Sequence, residues 1–174
     1  MLIIRLARPE ECGDVIQFYR DLIKAMRDVE IKPAWEMGVY PTEQLLRNAI
    51  NERVLYVANM GDIIVGAMIL NHDCPDEYGH AKWQTVAQKD EVMIVHLLAV
   101  SPLYQRKGIA RQMVSYAIEK CKNDSIKAIR LDILSNNSPA EKLYTSIGFI
   151  DVGAVKMFYE DTGLADFNLY ELII

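Results

Sequence analysis

Apolar and polar positions change period several times along this chain, and each change marks a predicted element. Leu2 to Ala7 is an apolar run of strand length. Pro9 suits the first turn of a helix, with Glu10 and Glu11 near its positive end. Val15, Ile16, Tyr19, Leu22, Ile23 and Met26 then recur at helical spacing, which predicts a helix to about Arg27. Asp28 to Pro41 has no clean period and contains Pro33, Gly38 and Pro41, so it reads as a loop that carries Trp35, Met37 and Tyr40. Thr42 is placed to cap a second helix through about Arg53, with Leu45, Leu46, Ala49 and Ile50 inward. Val54–Ala58 and Ile63–Leu70 flank Asn59-Met60-Gly61-Asp62, the pattern of a hairpin.

Glu91 to Val100 is too continuously apolar to be half exposed and predicts a central strand, ended by Pro102. From Gly108 to Cys121, residues Ile109, Met113, Val114, Ala117, Ile118 and Cys121 fall on one helical face. Ala128–Leu134 is the next strand. Strand, helix and strand in succession imply a right-handed crossover between parallel neighbours. At Ser138-Pro139-Ala140-Glu141, Ser138 is expected to cap, Pro139 to take the first helical position and Glu141 to complete a capping box. That helix runs to about Ile147, and Gly148 stops it. Ile150–Tyr159 and Phe167–Ile174 close the chain as strands around a turn at Asp161-Thr162-Gly163. Asn71–Asp90 follows no period and is expected to be a solvated loop. Residues 1–174 thus read as a single mixed α+β domain.

Composition narrows the functions open to such a domain. A chain of 174 residues can bury its own core. Its net charge of −5 argues against a general nucleic-acid binder, which needs a basic face. A local basic cluster can still hold a small anion. Cys12, Cys74 and Cys121 are odd in number and show no paired spacing, which points to reduced thiols in a cytoplasmic protein. The first residues lack the apolar core of a signal peptide. No run approaches the ~20 apolar residues of a membrane helix, so no membrane association is expected. His72, Asp73, Cys74 and His80 lie close in sequence, but their spacing matches no standard zinc pattern, and no metal is expected.

Candidate chemistry sits between the central strand and its helix, at Gln105-Arg106-Lys107-Gly108-Ile109-Ala110. A helix start offers unpaired amides and partial positive charge, so it can seat an anion. Gly108 and Ala110 keep the backbone open, while Arg106 and Lys107 add charge. Neither the Walker pattern nor the dinucleotide fingerprint is present. Many folds share a basic glycine turn, so order and spacing carry the argument further. Leu97-Leu98-Ala99-Val100-Ser101-Pro102 precedes Gln105-x-x-Gly108-x-Ala110. Downstream follow Asn137-x-x-Ala140-x-x-Leu143-Tyr144 and Gly148-Phe149. Together these motifs resemble the GCN5-related N-acetyltransferase (GNAT) superfamily. They cover about Val92 to Phe149; the N-terminal third resembles it in element order. Ala110 stands where glycine is often found, and alanine is small enough to keep the approach open.

The resemblance implies a mixed, mostly antiparallel sheet whose central parallel pair splays to admit acetyl-CoA, flanked by about four helices. Backbone groups of Leu98 and Val100, with Ala99 between them, would bond the pantetheine arm. The pyrophosphate would rest on amides from Arg106 through Lys107, Gly108, Ile109 and Ala110 to Arg111, with Gln105 opening the loop. Asn137 would lie beside the pantetheine, and Tyr144 would reach the thioester sulfur. The implied activity is acetyl transfer to a primary amine by direct attack on the thioester. The alternative is a CoA-binding regulatory module without turnover, which Tyr144 disfavours. Acyl transfer needs a neutral amine and a proton for the departing thiolate. Tyr144 is the candidate acid and His96 the candidate base; strand alternation is expected to set His96 on the side of Leu98 and Val100. A histidine simply bonded to a neighbouring carbonyl is the plainer reading, and Glu91 is the second candidate base. Asp132 can orient an acceptor amine, or pair with Arg130 or a backbone group. Trp35 and Tyr40 can line the acceptor side or anchor their loop to the core. The acceptor class is a small-molecule or protein amine, and a homodimer is compatible with the sequence.

Overall fold

The computed structural model describes residues 1–30 and 33–174; Ile31 and Lys32, inside the predicted Asp28–Pro41 loop, lie outside them. The sheet consists of β1 (Leu2–Leu6), β2 (Leu55–Met60), β3 (Ile63–Asn71), β4 (Val92–Val100), β5 (Ala128–Leu134), β6 (Ile150–Tyr159) and β7 (Gly163–Ile173). Their spatial order is β1-β2-β3-β4-β5-β7-β6, and every neighbouring pair is antiparallel except β4–β5. The helices among the described residues are α1 (Cys12–Ala25), α2 (Glu43–Asn51), α3 (Ile109–Asn123) and α4 (Ser138–Thr145).

Each helix buries the stripe its sequence presents. On one face of the sheet, Val15, Tyr19 and Leu22 of α1 and Leu46 and Ile50 of α2 pack with Leu55, Val57, Ala67 and Ile69. On the other, Ile109, Met113, Val114, Ala117 and Cys121 of α3 and Tyr144 of α4 pack with Met68, Val95, Ile129 and Leu131. Burial pushes the Cys121 thiol up to about 12, consistent with a packing role. The approach of α3 is close: a Cβ built on Gly66 would lie 2.8 Å from the Met113 sulfur and 3.1 Å from the Ala99 carbonyl oxygen. At the N-terminus, a short 3-10 turn at Pro9–Glu11 precedes α1, and Glu11 turns inward onto Arg5 at 2.7 Å through both carboxylate oxygens. The Arg5 guanidinium holds that carboxyl down to about 2.

Three sequence expectations are corrected. The N-cap of α4 is Asn137, whose side chain accepts from the Ala140 amide; Ser138 already belongs to the helix. An asparagine one residue upstream competes for the same amides and wins here. Strand β7 begins at Gly163 rather than Phe167, because Gly163 at φ +64° closes a tight hairpin in which Tyr159 pairs with Gly163. The Asn71–Asp90 segment is not a solvated loop. It forms short 3-10 turns at Asp76–His80 and Lys89–Glu91 and packs on the sheet through Tyr78, which is 3% exposed. Its anchors are distant in sequence: Glu171 accepts the Gln84 amide at 2.6 Å and the Thr85 amide at 3.2 Å.

Two features of β4 break the regularity of the sheet at its centre. Its pairing with β5 covers only Val92↔Ala128, Met93↔Ile129 and Ile94↔Arg130, although both strands continue well beyond. Past Ile94 the sheet opens. Leu97 also has φ +52°, and the β3 register shifts so that Met68 stands opposite the extra residue. This is a bulge, which bends the strand at the gap.

Candidate active site

The opening between β4 and β5 is the mouth of a cleft of about 880 Å³. That volume is within the range of small-molecule sites. Residues from α3, α4, β4, β5, β6 and the segment before α2 line it.

One end is built from backbone. Ser101 gives its amide to Val65, and the chain leaves β4 through a 3-10 turn at Pro102–Tyr104. Arg106 at φ +60° and Gly108 at φ +74° then bring it into α3. Gly108 is the N-cap and no side chain caps the helix, so the first-turn amides stay available to a ligand. Leu98, Ala99, Val100, Gln105, Arg106, Gly108, Ile109, Ala110, Arg111 and Asn137 all line this end. Lys107 does not: its ammonium lies 4.9 Å from the Tyr104 ring centroid. Gln105 reaches back to the Val100 carbonyl at 3.4 Å, and the Arg111 guanidinium ties α3 to Ser146 Oγ at 2.6 Å. The side chain of Asn137 is occupied as the cap of α4, accepting from Ala140 N at 3.3 Å.

Tyr144 stands at the middle. It is 5% exposed, lines the cleft, and packs edge-on against Phe149 with centroids 5.2 Å apart. Burial and the nearby Asp132 carboxylate push its phenol well above the usual range. It therefore carries its proton at any working pH.

The other end is built from side chains. Trp35 meets Tyr19 edge-on at 6.2 Å, and Tyr40 faces Tyr159 at 6.1 Å. Asp132 lies on the cleft side of β5, and it pairs neither with Arg130 nor with a backbone group. Its Oδ2 accepts from the Tyr78 hydroxyl at 2.8 Å and the Tyr159 hydroxyl at 3.4 Å. Arg130 is engaged instead by Glu171, at 3.0 Å, and by the Thr85 carbonyl, because Glu171 stands directly across from it on β7. Burial raises the Asp132 carboxyl, and the two phenolic bonds oppose that rise. Asp161 is a second carboxylate at this end, and its buried Oδ1 has no hydrogen-bond partner among the described residues. Tyr78, Tyr159, Asp161 and Phe167 were not legible in the sequence as site residues. Nothing in their spacing marks them: Tyr159, Asp161 and Phe167 line the cleft, and Tyr78 touches it only through its bond to Asp132.

His96 also lines the cleft, but not on the expected side. Leu98 and Val100 pack toward α3, whereas the strand partner of His96 is Ile69, on the face covered by α1 and α2. The bulge at Leu97 breaks the alternation between them, and the Leu97 carbonyl is taken by the Tyr19 hydroxyl at 2.7 Å. The Nε2–H of His96 donates to the Asp73 carbonyl at 2.9 Å and lies 3.0 Å from Asn71 Oδ1, which leaves Nδ1 as the acceptor in the neutral ring. Burial lowers its pKa, with the Asp73 carbonyl acting in the opposite direction. Glu91 is absent from the lining: it accepts from the Gln88 amide and pairs with Lys127 at 2.7 Å, outside the cleft. His72 Nδ1 lies 2.7 Å from the Val92 carbonyl and Asp73 pairs with Lys89, so these two side chains serve local structure. Among the described residues no group of three or more His, Cys, Asp or Glu is arranged to hold a metal ion.

A sequence model of the acetyltransferase (GNAT) family matches residues 17–149. The chain belongs to this family. Among curated relatives, the ribosomal protein bS18 alanine N-acetyltransferase of Haemophilus ducreyi is 31% identical over 70 residues, 40% of this chain and 48% of that protein. The chain spans about half the length of the curated relatives it matches. The fold is shared along the whole chain. A GNAT-family acetyltransferase from Listeria monocytogenes superposes with a TM-score of 0.77 at 19% identity, covering 99% of this chain and 95% of the other. The PaiA N-acetyltransferase of Thermoplasma acidophilum, solved with coenzyme A, gives 0.72 at 19% identity, covering 100% and 99%. The GNAT arrangement of an open, mostly antiparallel sheet with one parallel pair is thus the fold of this chain.

Proposed function

We propose that residues 1–174 act as one acetyl-CoA-dependent N-acetyltransferase domain that transfers acetyl to a cationic primary amine. The observation that carries this reading is that one cleft holds an uncapped α3 start, a protonated Tyr144 and a half-buried Asp132. These are an anion seat, a proton donor and an ammonium acceptor. The name of the relative solved with coenzyme A supports the donor, and the names of the curated relatives support an amine as acceptor.

The residues divide the work by type. Amides from Arg106 to Arg111 seat the pyrophosphate, and the free edge of β4 along Leu98–Val100 takes the pantetheine as an added strand would. Asp132 and the aromatic wall of Trp35 and Tyr40 receive the protonated acceptor and orient its nitrogen. His96, through Nδ1 or a bridging water, takes the ammonium proton; the freed lone pair attacks the thioester carbonyl. A C–N bond forms and the C–S bond breaks, the Tyr144 hydroxyl protonates the departing sulfur, and the second proton shed by the nitrogen restores the phenol. The net products are an amide, a free thiol and one proton. Asp132 and Asp161 make the acceptor end acidic, which favours a cation. The three free cysteines fit a cytoplasmic protein, and no helix among the described residues is long and apolar enough to cross a membrane.

Thiol release from acetyl-CoA across a panel of amines tests the proposal. Turnover with cationic primary amines and none with neutral or acidic analogues is expected. CoA binding without turnover on any amine would instead establish a non-catalytic CoA-binding module.

A further inference from the structure

The segment between β3 and β4 follows no sequence period, yet it bonds to a side chain that lines the cleft. From its first 3-10 turn Tyr78 drops onto β5 and donates to Asp132 Oδ2 at 2.8 Å, the shorter of the two hydrogen bonds that carboxylate receives. No hydrogen bond to Oδ1 is found among the described residues, so that oxygen is left for a ligand. The rest of the segment is fastened behind Tyr78. Trp83 gives its indole N–H to the Tyr78 carbonyl at 2.8 Å and covers the Arg130 guanidinium at 4.3 Å. Arg130 in turn is fixed by the fully buried Glu171, which also accepts the Gln84 and Thr85 amides. A buried ion pair with its remaining valences filled is costly to pull apart, so the segment is a strap fastened to the sheet at Glu171 behind Tyr78.

We propose that this strap makes Tyr78 a positioning residue: it holds one oxygen of Asp132 and thereby presents the other to the ammonium of the acceptor. The inference rests on the acetyltransferase reading. It extends that reading by naming what sets the acceptor end for a cation. Two phenols on one oxygen oppose the rise that desolvation causes and fix the plane of the carboxylate, so the approach direction of the amine is set before it binds. The groups facing Asp132 leave this to Tyr78 and Tyr159. Tyr144 from α4 and Tyr40 from the segment before α2 are phenols that burial keeps neutral. Arg130 on the same strand is engaged by Glu171. His96 on β4 is bonded to Asp73 and Asn71.

The test is the pH titration of the Asp132 carboxyl, followed by its carbon-13 shift in the full chain, in wild type, Y78F and Y159F, with D132N assigning the signal. A hydrogen bond to the ionised form lowers a carboxyl pKa, so losing it raises the midpoint. Y78F is expected to titrate at higher pH than wild type, and Y159F to shift less because its bond is longer. An unchanged or lower midpoint in Y78F, or an equal shift in Y159F, overturns the proposal. In the same variants, Y78F should raise KM for the amine by about tenfold, as expected for a lost hydrogen bond to a charged group. The KM for acetyl-CoA should stay put. Should Y78F melt too early to titrate, Trp83→Phe, which removes the bond to the Tyr78 carbonyl while leaving an aromatic ring at that position, is expected to move the midpoint in the same direction, and no movement there refutes the strap. The titration needs no turnover. A chain inactive on every amine would sink the acetyltransferase reading and still leave Tyr78 judged by its own experiment.

Discussion

The two ends of the cleft are made of different material. The donor end is mostly backbone: a strand edge, a left-handed turn and a helix start, all within Leu98–Arg111. At the acceptor end the groups are side chains gathered from β5, β6 and the segment before α2, with Asp132 backed by the strap. Backbone sites recognise what every donor of one class shares, and short contiguous motifs suffice to encode them. Side-chain sites can be rebuilt residue by residue, so they are where related proteins part company. A variant at one end should therefore leave the other end's ligand almost untouched.

The sharpest break should come at the junction of the two. Tyr144→Phe removes the proton donor, and kcat is expected to fall on the order of 100-fold or more. Stabilisation by CoA in a thermal melt should be retained, near the ~2.7 kcal/mol expected at 100 times Kd. Unchanged turnover would strip Tyr144 of the acid role. Next in size is Asp132→Asn. Steady-state kinetics should show kcat/KM for the amine reduced by ~10- to 100-fold, in line with a lost charge-assisted contact, with KM for acetyl-CoA unaltered. If both KM values rose together, the division into two ends would be wrong.

Gly108→Val probes the opposite side. A β-branched residue at φ +74° is strained by about 1–2 kcal/mol, and the strain falls on the turn that offers the amides. CoA affinity measured by calorimetry should drop about tenfold, by the same amount whichever amine is present. His96→Ala should lower kcat/KM where the ring is neutral and also change the shape of the pH profile. Because burial lowers its pKa from 6.5, the ascending limb of kcat/KM due to His96 lies below that value, and the ring is already neutral above it. The variant should lose that limb, and a pH profile superimposable on wild type would retire His96 as the base.

The same contrast explains how much could be read from the sequence. The β4–α3–β5 crossover was legible because its hydrophobic period switches cleanly at Gly108, and the anion seat follows from where a helix begins. The splay between β4 and β5 came with the family resemblance, since periodicity carries no information about pairing beyond Ile94. The bulge at Leu97 was hidden because leucine gives no sign of a left-handed backbone, and missing it put His96 on the wrong face. The strap was hidden for a different reason. Tyr78, Gln84 and Thr85 satisfy themselves on Asp132 and Glu171, far along the chain, so no local rule describes them. Asn137 and Ser138 both suit a cap, and only the backbone decides between them.

The short pairing of β4 with β5 also makes this sheet resemble a seam left partly unstitched. Strands β1 to β4 and strands β5 to β7 join directly through three residue pairs. A ligand that lies along the open edge closes the seam from within. On the proposed reading, acetyl-CoA would be a structural member of the folded protein as well as its reagent. Resistance to heat and to proteases should then rise with its concentration.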